Sequence, residues 1–368
     1  MPTAAEYTFD LRYASDHFSG IGTYTYGLAR ALIEAPGDER WRMLWSPRLA
    51  CTRFELEPLR SHPRVDWVET LVPPLGWNTA AGTGTLLRRL RSEVHISPFW
   101  LLPDRPPMPV VLTVHDLLPI AVPGSTSGLR RWLYRMALDR AASAAAILVN
   151  SRFTCEELVR RTRIPAGRVH VVPHAILPPR SSPGERPAGI GDAAFALVVG
   201  VNKPHKNLGV LIRAWSGPGA PELDLVGAGF VDRRHPAFPA GAARMHWLGR
   251  VKEAELEWLY RHATLVLCPS RYEGFGLPLL EAAARGRPVV ASDVPALRET
   301  GEGAARFVPD DAGVWAAVVS ELAADAAARE AMGRAGIARA AAFDFESCAA
   351  RTLAVLREVL GRTQSGLR

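Results

Sequence analysis

Residues 269–288 read PSRYEGFGLPLLEAAARGRP, and their order lays out a strand end, a turn and a helix in one pass. The apolar run Leu265–Cys268 stops where this stretch begins, Glu273-Gly274-Phe275-Gly276 makes the turn, and a helical pattern starts near Leu277 and runs to Arg285. Two carboxylates, Glu273 and Glu281, therefore flank one helix start. Glycines at 274 and 276 leave backbone N–H groups open to close approach, and the positive end of a helix favours an anion. A phosphate with hydroxyl-rich groups beside it suits this arrangement, because ionised carboxylates only accept hydrogen bonds and so pair with sugar hydroxyls. The plainer alternative makes Glu273 a helix cap and Glu281 a surface residue.

The same strand-then-helix rhythm extends outward in both directions. In the second half, strands are expected at 194–201, 223–226, 245–248, 265–268, 289–292 and 306–308, with helices at 208–215, 253–262 and 277–285. In the first half, strands are expected at 7–11, 43–45, 94–97, 110–114, 146–150 and 169–172. The clearest helices there are 23–33, 128–143 and 154–163, the last opened by a Thr154/Glu157 capping box. Alternation of this kind predicts an α/β fold with two doubly wound, mostly parallel sheets. Residues 178–192, PPRSSPGERPAGIGD, are rich in proline and glycine without periodicity and read as a linker. A length of 368 residues fits two domains, expected at 1–180 and 190–345.

Composition narrows the class. With 48% hydrophobic and 22% charged residues the chain can bury real cores, which excludes disordered and collagenous classes. No apolar run is long enough to span a bilayer, and the first residues lack the basic and apolar regions of a secretion signal, so a cytoplasmic location is expected. Cys51, Cys155, Cys268 and Cys348 form no C-x-x-C pair and read as buried thiols of a reducing compartment. The excess of positive charge lies in the first half. Residues 124–180 alone hold ten arginines, Arg130, Arg131 and Arg135 among them, against Asp139, Glu156 and Glu157. Such a patch meets nucleic acid, an anionic membrane face or a phosphorylated substrate, or is a solvated face.

Three further stretches are candidates for chemistry. Residues 200–207, GVNKPHKN, follow the first strand of the second half and carry Lys203 and Lys206, two of the chain's three lysines, beside His205. Lysines near a helix start oppose the dipole, unless a bound diphosphate supplies negative charge. Ser19-Gly20-Ile21-Gly22-Thr23 resembles a phosphate-binding glycine loop opening a helix, without matching either G-x-G-x-x-G or the P-loop pattern. Thr113-Val114-His115-Asp116 ends an apolar strand and places His115 at a carboxyl edge, as a catalytic group or a structural hydrogen-bonder. No D-x-D, H-E-x-x-H or G-x-S-x-G pattern occurs, which removes support for metal-held diphosphate chemistry and serine hydrolysis.

Taken together, these residues resemble a known family. The stretch PSRYEGFGLPLLEAAARGRPVVASD is similar to the E-x7-E signature of retaining GT-B glycosyltransferases of glycosyltransferase family 4, with Glu273 and Glu281 at the signature spacing. GVNKPHKNLGVLIRAW resembles that family's donor-phosphate loop, and SGIGTYTYGLARAL, VVLTVHDLLPI, VNSRFTCEELVRR and RVHVVPHAI follow in the family's order. The resemblance implies two Rossmann-like domains facing a central cleft, with the last helix, about 346–368, packing back on the first domain. It implies that Glu281 holds ribose hydroxyls and Glu273 the transferred sugar. Lys206 would hold the diphosphate, assisted by the N–H groups of Gly276 and Leu277, with Lys203, His205, Gly274 and Phe275 also in the donor-binding set. Gly20 and Gly22 would approach that diphosphate from the first domain, and His115 would lie near sugar and acceptor. Lys206, Glu273 and His115 are thus the expected catalytic groups.

The implied activity is metal-independent, retaining transfer of a hexose from a nucleoside-diphosphate sugar to a glycan, glycolipid or small-molecule acceptor. GDP-mannose is the favoured donor, by resemblance to bacterial polysaccharide mannosyltransferases. No cofactor and no nucleic-acid partner is implied, and peripheral contact with the inner face of an anionic membrane is open. The alternatives are an epimerase or phosphorylase on the same scaffold, and an inactive nucleotide-sugar-binding protein. Two departures from the family pattern stand out. His205 occupies a place usually held by arginine, where it would be partly cationic near neutral pH, and His174-Ala175 replaces an Asn-Gly.

Overall fold

The computed structural model describes residues 4–201, 203–229 and 244–366, and the chain divides into two compact units. The first unit runs to Ala121, resumes over Thr126–Leu177 and takes in the chain from Phe343 onward. The second comprises Val122–Ser125 and Pro178–Ala342.

The first unit is built on a seven-stranded sheet. Its strands are β1 Glu6–Asp10, β2 Arg40–Trp45, β3 Val65–Glu69, β4 Val94–Ser97, β5 Val110–Val114, β6 Ala146–Val149 and β7 Val169–Val171. They lie parallel in the order β3-β2-β1-β4-β5-β6-β7, so the winding reverses between β1 and β4. An all-parallel sheet has both faces covered, which is why the central strands are apolar almost without interruption. On one face Tyr7, Phe9, Trp41, Met43, Val94 and Ile96 pack against helices Gly20–Glu34 and Phe345–Gly366. Over β5 and β6, Leu112, Val114, Ile147 and Val149 pack against Tyr134, Leu138 and Ala141 of helix Gly128–Ala141. Behind the first core, Thr8 stands opposite His95 in the β1–β4 register, and burial pushes the His95 imidazole down to about 4, only partly offset by the Asp10 carboxylate. The long C-terminal helix seats on Gly27, where any Cβ would come within 2.2 Å of the Phe345 ring.

The second unit repeats the plan with six strands: β8 Phe195–Val199, β9 Asp224–Ala228, β10 Met245–Gly249, β11 Leu265–Cys268, β12 Val289–Ser292 and β13 Ala305–Val308. Their order is β10-β9-β8-β11-β12-β13, again parallel, with the reversal between β8 and β11. Ala196, Val198, Leu211, Trp215, Leu267 and Trp315 form its main core. Both units are therefore Rossmann-like. In such sheets ligands collect outside the carboxyl ends of the strands at the reversal.

Three local expectations are corrected. β3, VDWVE, is absent from the sequence reading because Asp66 and Glu69 interrupt its apolar pattern; as an edge strand it keeps them half-exposed, near Arg40 and Arg60. The helix expected at 23–33 starts at Gly20, so Gly20 and Gly22 lie in its first turn rather than in a free loop. The helix expected at 154–163 is Arg152–Arg161, capped by Ser151, whose Oγ accepts from the Thr154 N–H at 3.0 Å. Glu157 is unavailable for a capping box, since its two carboxylate oxygens are bound by Arg160 and Arg161.

Candidate active site

The second unit gathers most of the sequence candidates at the carboxyl ends of β8 and β11. After β8 the chain passes through Gly200, with Asn202 outside the described residues, into a single 3-10 turn, Pro204–Lys206. Asn207 then adopts a left-handed conformation, with φ of 52°, before helix Leu208–Ser216. Its side-chain amide donates to Asp310 Oδ1 at 2.7 Å, which ties the turn to the segment after β13. After β11 the chain runs through Ser270 and Glu273 to Gly276, which precedes helix Leu277–Ala284. Gly276 has φ of 103°, and a Cβ there would lie 2.5 Å from Leu297 Cδ2. Only glycine fits this position without strain.

These two turns bring Lys206 and Glu273 together across 67 residues of sequence, with Lys206 Nζ donating to Glu273 Oε1 at 2.6 Å. Ser270 Oγ donates to the same oxygen, also at 2.6 Å. The pair is partly screened from water, with side-chain exposures of 22% and 16%. Gly200, Lys206, Ser270, Glu273, Gly276 and Trp247 line a concavity of about 460 Å³. Among the described residues the N–H groups of Gly276 and Leu277 make no hydrogen bond, leaving two donors at a helix N-terminus beside a lysine. A lysine ammonium, a helix dipole and two open N–H donors are the features that favour an anion.

The remaining candidates divide. Phe275 is buried, and its carbonyl accepts from Thr300 Oγ1 at 2.7 Å, so it anchors the turn while Gly274 precedes it on the same loop. Glu281 sits on the helix itself and does not line the concavity. Its Oε2 accepts from the Tyr260 hydroxyl at 2.7 Å. Burial and the neighbouring carboxylate push the Tyr260 phenol well above its usual range, which keeps that donor protonated. Arg285 lies over the Tyr260 ring and binds Glu257 Oε2, so a buried Glu257–Arg285–Tyr260 chain orients Glu281. Lys203 is exposed at the mouth of the turn. His205 is corrected: burial, reinforced by the Lys206 ammonium, pushes it down to about 4, so it is neutral at physiological pH and adds no charge.

In the first unit, His115 is engaged at both ring nitrogens. Nε2 lies 2.8 Å from the Pro98 carbonyl and Nδ1 lies 2.8 Å from His174 Nε2. The carbonyl can only accept, so His115 carries its proton on Nε2 and accepts at Nδ1 from His174. Burial pushes His115 down to about 4, and Tyr24 stacks on the His174 ring at 4.4 Å. Burial lowers His174 as well, so the two rings form a neutral, hydrogen-bonded pair held in place by these contacts. Gly20 and Gly22 open helix Gly20–Glu34, where Arg53 covers the first turn, donating to the Ser19 carbonyl and to Thr23 Oγ1, each at 3.0 Å. Arg53, Ser270 and Tyr260 are not among the residues the sequence singles out, although Ser270 lies within the stretch 269–288. Among the described residues no cluster of three His, Cys, Asp or Glu side chains is arranged as metal ligands.

Comparison with known proteins agrees with this geometry. Residues 18–178 match the family model described as Glycosyltransferase Family 4, and residues 194–325 match Glycosyl transferases group 1. The chain is 29% identical over 294 residues to O-antigen chain mannosyltransferase B of Escherichia coli, covering 73% of this chain and 74% of that protein. It is 29% identical over 300 residues to D-inositol 3-phosphate glycosyltransferase of Kineococcus radiotolerans, covering 71% and 68%. The structure of sucrose-phosphate synthase from Thermosynechococcus elongatus superposes with a TM-score of 0.72 at 19% identity, over 97% of this chain and all of that one.

Proposed function

Since the chain belongs to the family 4-type glycosyltransferases and has the GT-B fold, we propose that it moves a hexose, mannose in the first instance, from a nucleoside-diphosphate sugar with retention of anomeric configuration. The observation that carries this reading is the Lys206–Glu273 contact beside the open N–H groups of Gly276 and Leu277. Without ligand the two charges satisfy each other. A diphosphate entering the concavity takes the Lys206 ammonium, and the released Glu273 carboxylate turns to the hydroxyls of the sugar. Departure of the nucleoside diphosphate builds negative charge on its bridging oxygen, so Lys206 and the helix start stabilise the transition state more than the bound donor. Glu281, oriented by Tyr260, accepts from the ribose hydroxyls.

With His205 neutral, the cationic part of the site is Lys206 with Lys203 at the mouth. This reading assigns leaving-group charge to side chains and helix N–H groups and calls for no divalent ion. Retention follows from attack on the face the diphosphate leaves, with that phosphate taking the acceptor proton. Mannose is favoured by the likeness to the E. coli mannosyltransferase, and the acceptor assigned to the first unit is a glycan or lipid-linked glycan.

A thermal-shift screen across nucleoside-diphosphate sugars tests the donor, since a ligand at about 100 times its Kd adds roughly 2.7 kcal/mol of stability. GDP-mannose is expected to raise Tm most, undiminished by EDTA. Proton NMR of the product is expected to show the donor's anomeric configuration. An inverted product, or no shift with any such donor, rejects the reading.

A further inference from the structure

We propose that the outer face of helix Gly128–Ala141 is a docking surface for an anionic lipid bilayer. The helix is apolar on two opposite sides. Its inner side, Tyr134, Leu138 and Ala141, is buried in the first unit's core. Its outer side carries Leu129, Trp132, Leu133 and Met136, which are 65%, 56%, 39% and 45% exposed. Their spacing is i, i+3, i+4, i+7, which aligns them in one stripe along a helix. Burying the inner side accounts for the fold, and the outer stripe is left over. Isolated exposed apolar residues are ordinary, but four large ones in register with a tryptophan among them mark an interaction surface.

Charge decides the occupant. On a helical projection Arg130 and Arg135 flank the stripe on its two sides, and among the described residues neither makes an ion pair. Arg140, at the far end, is paired with Asp104, and Asp139 is the acidic residue of the helix. Apolar anchors bordered by unpaired arginines match a bilayer interface, where the anchors enter the acyl boundary and the guanidinium groups meet lipid phosphates. Tryptophan favours that same depth. No helix among the described residues is long and apolar enough to cross a membrane, so the contact is peripheral. The inference goes beyond the donor reading and stands on separate residues.

Co-sedimentation of the full chain with phosphatidylcholine vesicles, with or without phosphatidylglycerol, tests it. Binding is expected with the anionic vesicles and is expected to weaken as salt rises. Arg130→Gln with Arg135→Gln should weaken it about fivefold per charge and roughly thirtyfold together, the equivalent of about 1 kcal/mol each. Trp132→Gln with Met136→Gln should abolish it. Trp77→Ala, removing an exposed tryptophan outside the helix, should leave it unchanged. Unchanged melting and unchanged donor-induced thermal shift in the helix variants establish that fold and donor site are intact. The proposal is overturned if the wild type ignores anionic vesicles, if the helix variants bind like wild type, if Trp77→Ala alone abolishes binding, or if Trp132→Gln converts a dimer to a monomer.

Discussion

Replacing Lys206 with alanine separates two effects that the structure superimposes at one contact. In the unliganded protein Lys206 and Glu273 form an ion pair at 2.6 Å with side chains mostly covered. Removing the ammonium leaves Glu273 with the Ser270 hydroxyl as its close partner among the described residues. Loss of a partly buried pair whose remaining acid keeps one hydrogen bond should cost about 1 to 2 kcal/mol of stability. Glu273→Gln in the same chain should recover most of that, because the neutral amide no longer needs a cation. Turnover should behave otherwise. A donor aimed at charge developing in the transition state is typically worth about 3 to 4 kcal/mol, so kcat should fall about a hundred- to a thousandfold in Lys206→Ala. Glu273→Gln should not restore it. Donor affinity should improve from the single to the double variant, since the uncompensated carboxylate beside the diphosphate is gone. Melting curves, donor titrations and nucleoside-diphosphate release measure the three quantities on the same preparations. If Lys206→Ala folds and turns over within about threefold of wild type, Lys206 does not carry the leaving group and the site assignment fails.

Two predictions concern the first unit. Gly27→Ala should destabilise it by about 1 to 3 kcal/mol, because the new methyl meets the Phe345 ring, and Phe345→Ala should relieve that cost in the double variant; additive losses in Tm would show that the two helices do not meet there. His95, lowered to about 4 in the fold against about 6.5 unfolded, gives a signed acid response. Between those values the unfolded chain binds the extra proton, so stability is complete above about pH 6.5 and falls as the pH drops, by about 2 kcal/mol at pH 5. His95→Gln should make the Tm profile between pH 7 and pH 5 shallower by the His95 share, while His115 and His205, lowered to the same range, keep the rest of the slope; an unchanged slope would remove His95 as a contributor.

The legibility of this protein in its sequence follows the range of the interactions involved. Strand and helix alternation is a local signal, so the two parallel-sheet units were readable from apolar runs such as Leu265–Cys268 and from the gap in periodicity after Pro178. The turn from Glu273 to Leu277 was readable for the same reason: its glycines, acid and helix start are neighbours along the chain. An edge strand with charges on it, β3, was lost because its pattern reflects half-exposure rather than a core.

Pairings were beyond reach. Lys206 meets Glu273 across 67 residues, His115 meets His174 across 59, and Tyr260 reaches Glu281 across 21. Each is set by which strands the sheet places side by side, and a linear pattern holds no record of that adjacency. Protonation was equally out of view. His205 reads as a partial cation in its loop and becomes neutral once folding removes its water and sets an ammonium next to it, because desolvation and Coulomb repulsion depend on distance in space. Sequence alone determined the elements and the chemical types available to the site. Tertiary structure decided which of them face one another, and therefore which carry charge.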